Sequence, residues 1–522
     1  MPTREEILRQ LGGDAEVWDV LVIGGGASGL SAALDAAARG YRTLLLERSD
    51  FAKGTSSRST KLVHGGVRYL QQMNVRLVMD ALYERGLMLR NAPHLVHDLR
   101  FVIPAYSVFS LPYYGAGLKV YEWLSGSLSL GASELLSTGE TLTMLPGIRT
   151  RGLKGGILYH DGQFDDARYA IALLRTLQDQ GGVAINYVDV RGLIEEHGKV
   201  SGVHAVDVES GDSFDLHARV VVNATGVWAE GTLRMQAGSA GQQLLSVSQG
   251  THLVLPREFL PSRTALMIPK TSDGRVLFAI PWHGATIVGT TDVAVDGPSP
   301  EPHPLKDETA FLLEHVERYL GRRPKSDEIL SRWSGLRPLV RHAGIATSKL
   351  SRDHSVLVSP AGLVTVIGGK WTTARRMGQD AIDRAAQVGG LGTVASPTTG
   401  LRLHGWDLGQ AHPATDWEKV YGADLGQLRA LGQSEPALDE LLHPLLPFRR
   451  REVLWAARYE FARTTEDVLA RRTRALFLDA QAAMSVAADV ATLLGRELGR
   501  SEAWIEQDRA AFVALARGYL SN

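Results

Sequence analysis

A glycine-rich turn near the start of the chain constrains the fold more than any other feature. The apolar run Asp19–Ile23 predicts a buried strand, and the turn after it is followed by a helical segment, Leu30–Arg39. Gly40 ends that helix, and a second strand is predicted over Tyr41–Glu47. Strand, turn, helix and strand in such a short stretch are typical of a parallel α/β sheet.

The turn has the spacing Gly24-x-Gly26-x-x-Gly29, which predicts a dinucleotide site. The first glycine permits the tight turn, the second lets the backbone approach a pyrophosphate, and the third lets the helix pack on the strand. The start of the helix supplies N–H donors for the phosphates. Glu47 ends the second strand, where an acid accepts hydrogen bonds from ribose hydroxyls and disfavours the 2′-phosphate of NADP.

Two later segments also bring glycine to a predicted strand end, namely Asn223–Gly226 and Ile367–Lys370. In an open α/β sheet, such strand ends form the ligand crevice. Three glycine-rich edges indicate a long cofactor and favour FAD over NAD. An NAD-dependent dehydrogenase stays an alternative, as does the interpretation of the two later segments as ordinary turns.

The composition excludes several classes of function. The chain of 522 residues has no cysteine, which excludes disulfides, thiolate zinc sites, iron–sulfur clusters and cysteine nucleophiles. Its 56 basic and 57 acidic residues give a net charge of −1, which argues against a nucleic-acid partner. The histidines show no ligand spacing, so we expect no metal site, and neither a P-loop nor a Gly-x-Ser-x-Gly elbow in a strand-to-helix setting is present.

The rest of the chain predicts further layers. Helices are expected at Val75–Asn91 and Arg168–Gln180, and a strand at Val183–Val190. Residues 250–300 alternate β-branched residues with turn residues, which predicts an antiparallel sheet. Residues 388–416 have the composition of a linker, and 417–522 are expected to be helical, with a capping box at Thr464–Asp467.

A loop rich in glycine, hydroxyl and basic residues, Ser56–Tyr69, is the first candidate for the reacting site. Its small residues suit a close approach to a flat ring. His64 adds a titratable group, Arg68 a clamp for an anion and Tyr69 a phenol donor. Cations from three other segments can join them at a phosphate or carboxylate, namely Arg337, Arg352 and Lys370.

Membrane contact rests on two candidate surfaces. Residues 1–16 lack an apolar core, so we expect no signal peptide, and no apolar stretch of spanning length is seen. Residues 449–474 contain eight arginines against four acids, which indicates a salt-bridged helical face or a surface for anionic lipid. The segment Phe101–Trp123 is the second candidate surface.

These residues resemble those of the FAD-dependent, aerobic glycerol-3-phosphate dehydrogenases over nearly the full chain. The segments that carry the resemblance are Asp19–Gly29, Ser57–Leu70, His160–Arg168, Gly289–Asp292, Trp333–Leu339, Gly368–Thr373, Arg458–Arg463 and Ala470–Arg474. The His-Gly-Gly-x-Arg-Tyr segment at His64–Tyr69 and the Ser-Gly-x-Arg-Pro-Leu segment at Ser334–Leu339 are specific, because generic flavoproteins lack them.

The resemblance implies a multi-domain α/β (α+β) architecture. It consists of a Rossmann-like FAD-binding domain of glutathione-reductase type, an antiparallel β-sheet substrate domain and a helical C-terminal domain. We expect the oxidoreductase region at 1–400 and the helical domain at 401–522. Within the first region, the expected FAD-binding parts are about 17–100, 145–250 and 340–395, and the expected substrate-binding parts are about 101–144 and 251–339.

The reaction that the resemblance implies is oxidation of sn-glycerol 3-phosphate to dihydroxyacetone phosphate. A hydride passes from C2 to flavin N5, and the electrons pass to membrane quinone. The predicted catalytic residues are His64, Arg337 and Lys370, and the predicted substrate-binding residues are Arg68, Tyr69 and Arg352. The predicted cofactor-binding residues are Gly24, Gly26, Gly29, Glu47, Ser57, Thr60, Lys61, Leu62, Gly226, Gly369 and Thr372.

Several alternatives stay open at this stage. An oxidase of the same family would use oxygen as acceptor, and another flavoenzyme of this fold would act on a hydroxy acid or an amine. A flavin-binding scaffold without turnover is a third alternative. By the same resemblance, we expect a cytoplasmic protein bound peripherally to the inner face of the cell membrane, and a homodimer is among the assemblies left open.

Overall fold

The structure is a computed structural model that describes residues 3–13, 17–66, 75–107, 109–236, 243–272, 274–341, 353–407, 409 and 412–521. Its strands are β1 (Trp18–Ile23), β2 (Thr43–Leu46), β3 (Leu62–Val63), β4 (Val96–Ala105), β5 (Glu134–Leu136), β6 (Gly155–Phe164), β7 (Val183–Ile185), β8 (Val188–Glu196), β9 (Lys199–Asp207), β10 (Ser213–Asn223), β11 (Leu245–Pro256), β12 (Ala265–Ile268), β13 (Leu277–Trp282), β14 (Ala285–Gly289), β15 (Val293–Val295), β16 (Ser331–Val340), β17 (His354–Val358) and β18 (Val364–Gly368).

The helices surround two sheets. They are Arg4–Leu11, Ala27–Ala38, Val75–Asn91, Ser110–Ser125, Thr138–Met144, Asp166–Asp179, Ala229–Leu233, Lys306–Leu320, Ala374–Val388, Leu425–Ser434, Arg451–Tyr459, Ala475–Leu478, Ala480–Ser485, Ala487–Glu497 and Glu502–Arg517. The helix predicted at Val75–Asn91 is confirmed.

The first sheet has the order β17-β18-β10-β1-β2-β7, and β8 and β9 extend it from β10. The five strands from β18 to β7 run parallel to one another. Apolar side chains of these strands are fully buried, as Leu21, Leu45 and Val221 illustrate. Such continuous apolar runs are typical of a parallel sheet covered on both faces. The parallel α/β sheet is therefore confirmed.

A close contact between two helices fixes one face of this sheet. A Cβ atom on Gly378 would lie 2.5 Å from the backbone of Ser31, so the helices Ala27–Ala38 and Ala374–Val388 approach each other there without a side chain between them. This contact connects the first glycine-rich edge to the last one in the sequence. The chain thus returns to its starting sheet after more than three hundred residues.

The second sheet has the order β15-β11-β14-β13-β12-β4-β6-β3, with β16 paired to β11 and β5 paired to β6. Its pairs are antiparallel except for β12 and β4. The antiparallel sheet predicted at 250–300 is confirmed. β6 and the start of β11 also belong to it, although the predicted division counts 145–250 with the cofactor-binding part.

The C-terminal residues are mainly helical, as expected. Thr464 and Asp467 form the predicted reciprocal cap, because each backbone N–H donates to the side chain of the other residue. A π-helical turn, Asp467–Arg472, follows in place of a long α-helix. Among the described residues between Val388 and Glu418 there is no helix or strand, in agreement with a linker.

The arginines of segment 449–474 are held in ion pairs. Each of its eight arginines pairs with a carboxylate, namely Arg449, Arg450, Arg451, Arg458, Arg463, Arg471, Arg472 and Arg474. Three of them are almost completely buried: Arg471, Arg472 and Arg474. These three side chains are therefore not available to lipid, and the salt-bridge interpretation holds.

Candidate active site

A cavity lies at the carboxyl edge of the first sheet, where β1, β2, β10 and β18 end. It has a volume of about 360 Å³ and is lined by Gly24, Gly26, Glu47, Gly226 and Gly369, among others. All three glycine-rich strand ends of the sequence thus meet at one place. We call it the first cavity.

Backbone geometry explains the glycine spacing. Gly24 has φ +106°, which side-chain-bearing residues rarely adopt, and a Cβ atom there would lie 2.8 Å from the carbonyl oxygen of Ala224. A Cβ atom on Gly29 would lie 1.8 Å from the carbonyl oxygen of Gly24. Gly29 therefore packs the helix against the strand end, and it does not line the cavity.

The helix begins directly at this cavity. It starts at Ala27, earlier than the predicted Leu30, with Gly26 as its N-cap. The backbone N–H of Ala27 donates to Ser56 Oγ at 2.9 Å. The N–H groups at the start of a helix and the positive end of the helix dipole are suited to a phosphate.

Glu47 is held by the backbone at the end of β2. Its carboxylate oxygens accept hydrogen bonds from the N–H groups of Gly25 at 2.7 Å and Ser49 at 2.8 Å. Burial raises the pKa of Glu47, and these two donors oppose that shift. A carboxylate has further lone pairs, which leaves acceptors for ribose hydroxyls in the first cavity.

A second cavity of about 310 Å³ lies between the two sheets. It shares Thr55, Pro338, Gly369, Lys370 and Trp371 with the first cavity, so the two spaces adjoin at this group. The sequence-predicted residues that line it are Thr60, Leu62, His64, Arg337, Lys370 and Thr372. Residues from three separate segments of the chain thus meet at one place.

His64 and Arg337 are positioned by neighbours from other elements. The backbone N–H of His64 donates to Thr372 Oγ1 at 3.3 Å. The guanidinium of Arg337 donates to Thr290 Oγ1 and to the carbonyl oxygen of Thr291, both at 3.1 Å. A Cβ atom on Gly250 would lie 2.2 Å from Arg337 Nη2, so the glycine leaves the space that this guanidinium occupies.

The predicted cofactor contacts Ser57 and Lys61, like Gly29, line neither cavity. The hydroxyl of Ser57 donates to the carbonyl oxygen of Ala52 at 2.8 Å. Lys61 Nζ donates to the carbonyl oxygen of Ser57 at 2.8 Å and to the carboxylate of Asp166 at 2.7 Å. Burial and the nearby Arg474 lower the pKa of Lys61 to about 7, against the effect of Asp166. Direct contact of Ser57 and Lys61 with a cofactor stays a prediction.

Three predicted substrate contacts lie outside the described residues: Arg68, Tyr69 and Arg352. Their roles stay predictions. The described part of the second cavity wall carries four basic side chains, Arg58, Arg275, Arg337 and Lys370, against two acids, Asp161 and Asp292. This excess of positive charge favours an anionic ligand.

His252 is a polar residue of the second cavity that sequence reasoning missed. Its imidazole stacks on Trp333, with ring centroids 4.1 Å apart, and its Nε2 is 2.9 Å from Thr60 Oγ1. Burial, with the positive charges of Lys61 and Arg337, holds the pKa of His252 well below its ordinary value. The signal in the sequence was a histidine directly before the apolar run Leu253–Leu255 of β11.

The residues present fit FAD. Gly24, Gly26 and the start of the helix would hold the pyrophosphate, and Glu47 would hold the ribose of the adenosine. Gly369, Lys370 and Trp371 lie between the two cavities and would hold the ring system beside the substrate space. Trp371 is fixed there, because its Nε1 donates to the carbonyl oxygen of Ser56 at 2.9 Å.

The family comparisons agree with this site. Residues 19–375 match a model described as FAD dependent oxidoreductase, and residues 366–505 match one described as the C-terminal domain of alpha-glycerophosphate oxidase. The chain is 39% identical to a probable mitochondrial glycerol-3-phosphate dehydrogenase of Caenorhabditis elegans, over 100% of this chain and 75% of the relative. It is also 39% identical to the mitochondrial glycerol-3-phosphate dehydrogenase of Rattus norvegicus, over 96% and 73%.

Two solved structures extend the comparison. The glycerol-3-phosphate dehydrogenase from Bacillus halodurans, complexed with FAD, matches with a TM-score of 0.80 at 28% identity, over 100% of this chain and 99% of that one. The L-alpha-glycerophosphate oxidase from Mycoplasma pneumoniae, with FAD bound, matches with a TM-score of 0.55 at 17% identity, over 71% and 95%. The second likeness concerns the fold alone.

Proposed function

Because the chain belongs to the FAD-dependent glycerol-3-phosphate dehydrogenase family, we propose that it oxidises sn-glycerol 3-phosphate to dihydroxyacetone phosphate. One observation carries the proposal beyond family membership. The space next to the FAD cavity is rich in positive charge and holds His64, Arg337 and Lys370 on its wall. A phosphorylated polyol with an oxidisable hydroxyl matches that combination of groups.

The residues divide the chemistry between them. His64 takes the proton of the C2 hydroxyl, since an imidazole titrates near neutral pH. Arg337 and Lys370 stabilise the negative charge that develops on the C2 oxygen. Arg68 and Arg352 bind the phosphate, and Tyr69 lines the substrate site. When bound, FAD supplies the hydride acceptor at flavin N5.

An anaerobic titration of the purified protein with sn-glycerol 3-phosphate tests this function. The visible absorbance of the flavin is expected to bleach as substrate is added, and the enantiomer, sn-glycerol 1-phosphate, serves as the matched control. A yellow protein that stays oxidised would contradict the substrate and redirect the search to hydroxy acids and amines. A colourless protein that binds no added FAD would contradict the cofactor site.

For the electron acceptor, we propose quinone over oxygen. The sequence has no long insertion of the oxidase kind, which supports a dehydrogenase. Stopped-flow mixing of the bleached protein with a short-chain quinone, or with air-saturated buffer, separates the two acceptors. Faster return of the flavin absorbance with oxygen than with quinone would favour the oxidase.

Long-chain quinones reside in the membrane, and we propose peripheral binding of the protein at the inner, cytoplasmic face. No helix in the described part of the chain is both long and apolar enough to cross a membrane. Of the two candidate surfaces, the helix Ser110–Ser125 together with Phe109 before it supports this proposal better than the ion-paired arginines do. Phe109, Tyr113 and Trp123 are 83%, 63% and 79% exposed there, and exposed aromatic residues are suited to a lipid interface.

The predicted docking segment Phe101–Trp123 has to be shortened at its start. Phe101, Val102 and Ile103 lie in β4 and are buried, so they are not available to lipid. Sedimentation with anionic vesicles tests the remainder: Phe109→Ser with Trp123→Ser is expected to release the protein. Leu445→Ser, at an equally exposed leucine of the helical domain, is the control. Unchanged sedimentation of the double variant would overturn this surface.

A further inference from the structure

Three buried arginines in the C-terminal part of the chain contact the loop that lines both cavities. We call Arg471, Arg472 and Arg474 the arginine clamp, and residues 48–61, between β2 and β3, the cofactor loop. The clamp side chains are nearly inaccessible to solvent. Each of them contacts at least one residue more than 300 positions away in the sequence, which makes the clamp a connection between two parts of the fold.

Asp50 is the first anchor of the clamp. Arg472 donates to both oxygens of its carboxylate, at 2.6 Å and 2.8 Å, and Arg471 donates to one of them. Burial of Asp50 opposes ionisation, but Arg472 and Arg471 hold its pKa below the ordinary value. A buried carboxylate that accepts bidentate hydrogen bonds from arginine fixes the geometry of its loop as well as its charge.

Ser57 is the second anchor. Arg474 donates to the carbonyl oxygen of Ser57 and to the carboxylate of Asp166, both at 3.0 Å. The same carbonyl accepts from Lys61 Nζ, and Asp166 also accepts from the backbone and hydroxyl of Ser59. Arg474 therefore completes a buried network that joins the end of the cofactor loop to the helix Asp166–Asp179.

The opposite side of the same loop lines the cavities. Lys53 and Ser56 line the first cavity, Arg58 and Thr60 the second, and Thr55 both. The loop also contacts the turn that would hold the pyrophosphate. The N–H of Ala52 donates to the carbonyl oxygen of Gly25 at 2.9 Å, and the hydroxyl of Ser56 accepts from the N–H of Ala27, the first residue of the helix.

The conformation of the loop requires such support. Ala52 and Lys61 both have φ +62°, in the left-handed region that side-chain-bearing residues adopt at a cost. Contacts from outside must offset that cost if the loop is to keep one shape. The arginine clamp supplies them close to both residues, at Asp50 and at Ser57.

We propose that Arg471, Arg472 and Arg474 are positioning residues that hold the cofactor loop in its FAD-binding conformation, so that the C-terminal residues set the affinity for FAD without touching it. This inference rests on the proposed cofactor site. It goes beyond that site because it assigns a role in cofactor retention to a part of the chain that lines neither cavity.

The test compares FAD binding by variants of matched burial. The purified holoenzyme is stripped of flavin and titrated with FAD, and quenching of the flavin fluorescence gives the dissociation constant. Arg472→Met is expected to weaken FAD binding at least about tenfold, because Asp50 loses its bidentate partner. Arg472→Lys keeps the charge but not the fork, so an intermediate value is expected.

Arg451→Met is the control. Arg451 is also a buried arginine of the C-terminal helices, and it pairs with Glu418 and Asp439, which lie outside the cofactor loop. Its removal is expected to lower the melting temperature of the flavin-free protein and to leave FAD affinity within about twofold. Equal loss of FAD affinity in the Arg451 and Arg472 variants, or no loss in either, would overturn the proposed role of the arginine clamp.

If Arg472→Met yields no folded protein, the milder variant Glu466→Gln tests the proposal. Glu466 pairs with Lys53 of the cofactor loop at 2.8 Å and with Arg471 at 2.8 Å, and it lines neither cavity. Glu466→Gln is expected to weaken FAD binding about threefold or more, and unchanged affinity would overturn the proposal. Failure of the wild type to bind FAD would instead contradict the cofactor site.

Discussion

The two cavities adjoin at Lys370, yet they are built in different ways. In the first, the wall around the start of the helix is formed by glycine backbone at strand ends and by the N–H groups of one helix turn. The second consists largely of side chains from distant segments, such as His64, His252 and Arg337. Shape therefore selects the ligand in the first cavity, whereas charge and proton transfer act in the second.

This difference teaches where each cavity is sensitive. Where glycine backbone forms the wall, a single carbon atom added at the junction of strand and helix distorts the binding site. A cavity of side chains tolerates changes of volume better than changes of charge or titration. Substitutions of the same size in the two cavities are consequently expected to impair different steps, namely cofactor binding and turnover.

The largest effect is expected for Gly29→Val, at the helix–strand contact next to the first cavity. The added side chain would overlap the carbonyl oxygen of Gly24, 1.8 Å from its Cβ, so the helix must move away from the strand end. We expect purified protein without flavin and no recovery on addition of FAD, as measured by absorbance. Gly139→Ala, where a Cβ atom meets no neighbour, is the control. A yellow Gly29→Val protein would show that backbone shape does not determine this cavity.

His64→Ala is the corresponding change in the second cavity. Loss of a general base is expected to lower kcat by about 10² to 10⁴. The flavin content should stay that of the wild type, because the side chain belongs to the second cavity only. Steady-state turnover and flavin absorbance of the same sample test both statements, and near-normal turnover would remove His64 as the base.

The first cavity could be predicted from the sequence because its determinants are local. The spacing of Gly24, Gly26 and Gly29 and the position of Glu47 follow from one strand–helix–strand unit. The two later glycine-rich segments could be added because parallel strands place their carboxyl ends at one edge. The helix start differed by three residues, since Gly26 caps it directly.

The second cavity could be predicted only in part because its determinants are non-local. Residue types in the loops made His64, Arg337 and Lys370 candidates, and the family resemblance assigned them to one site. Their common location depends on strand pairings that no local pattern encodes. His252 was missed since a histidine in an apolar strand has the pattern of an ordinary core residue. The arginine clamp was interpreted as a surface, because the spacing of its arginines does not reveal that Asp50 and Ser57 lie beneath them.

A smaller effect is expected for Gly250→Ala, which adds one methyl group to the second cavity. Its Cβ would lie 2.2 Å from Arg337 Nη2 and 2.5 Å from Thr290 Oγ1, so the guanidinium must shift. We expect turnover to fall about tenfold to a hundredfold, with FAD affinity unchanged. Measurement of kcat and of FAD binding on one preparation tests the contrast with Gly29→Val. A loss of flavin here would mean that the two cavities do not separate by function.

The smallest expected effect concerns the charge of the second cavity. Burial and the cations Lys61 and Arg337 keep the pKa of His252 well below that of a histidine in the unfolded chain, which is about 6.5. Below that pH the unfolded chain takes up a proton that the folded protein does not. The free energy of unfolding therefore decreases as the pH falls, by about 1 kcal/mol from this residue between pH 6.5 and 5.5.

Urea unfolding at pH 6.5 and 5.5 measures the free energy of unfolding and tests the predicted contribution of His252. His252→Gln keeps a hydrogen-bonding group near Thr60 but cannot titrate, so its stability should change less with pH than that of the wild type. His412→Gln, at an exposed position, should keep the wild-type dependence. If the stability of His252→Gln keeps the wild-type pH dependence too, burial and the nearby cations do not hold the imidazole of His252 neutral. The contrast with the first cavity would then rest on shape alone.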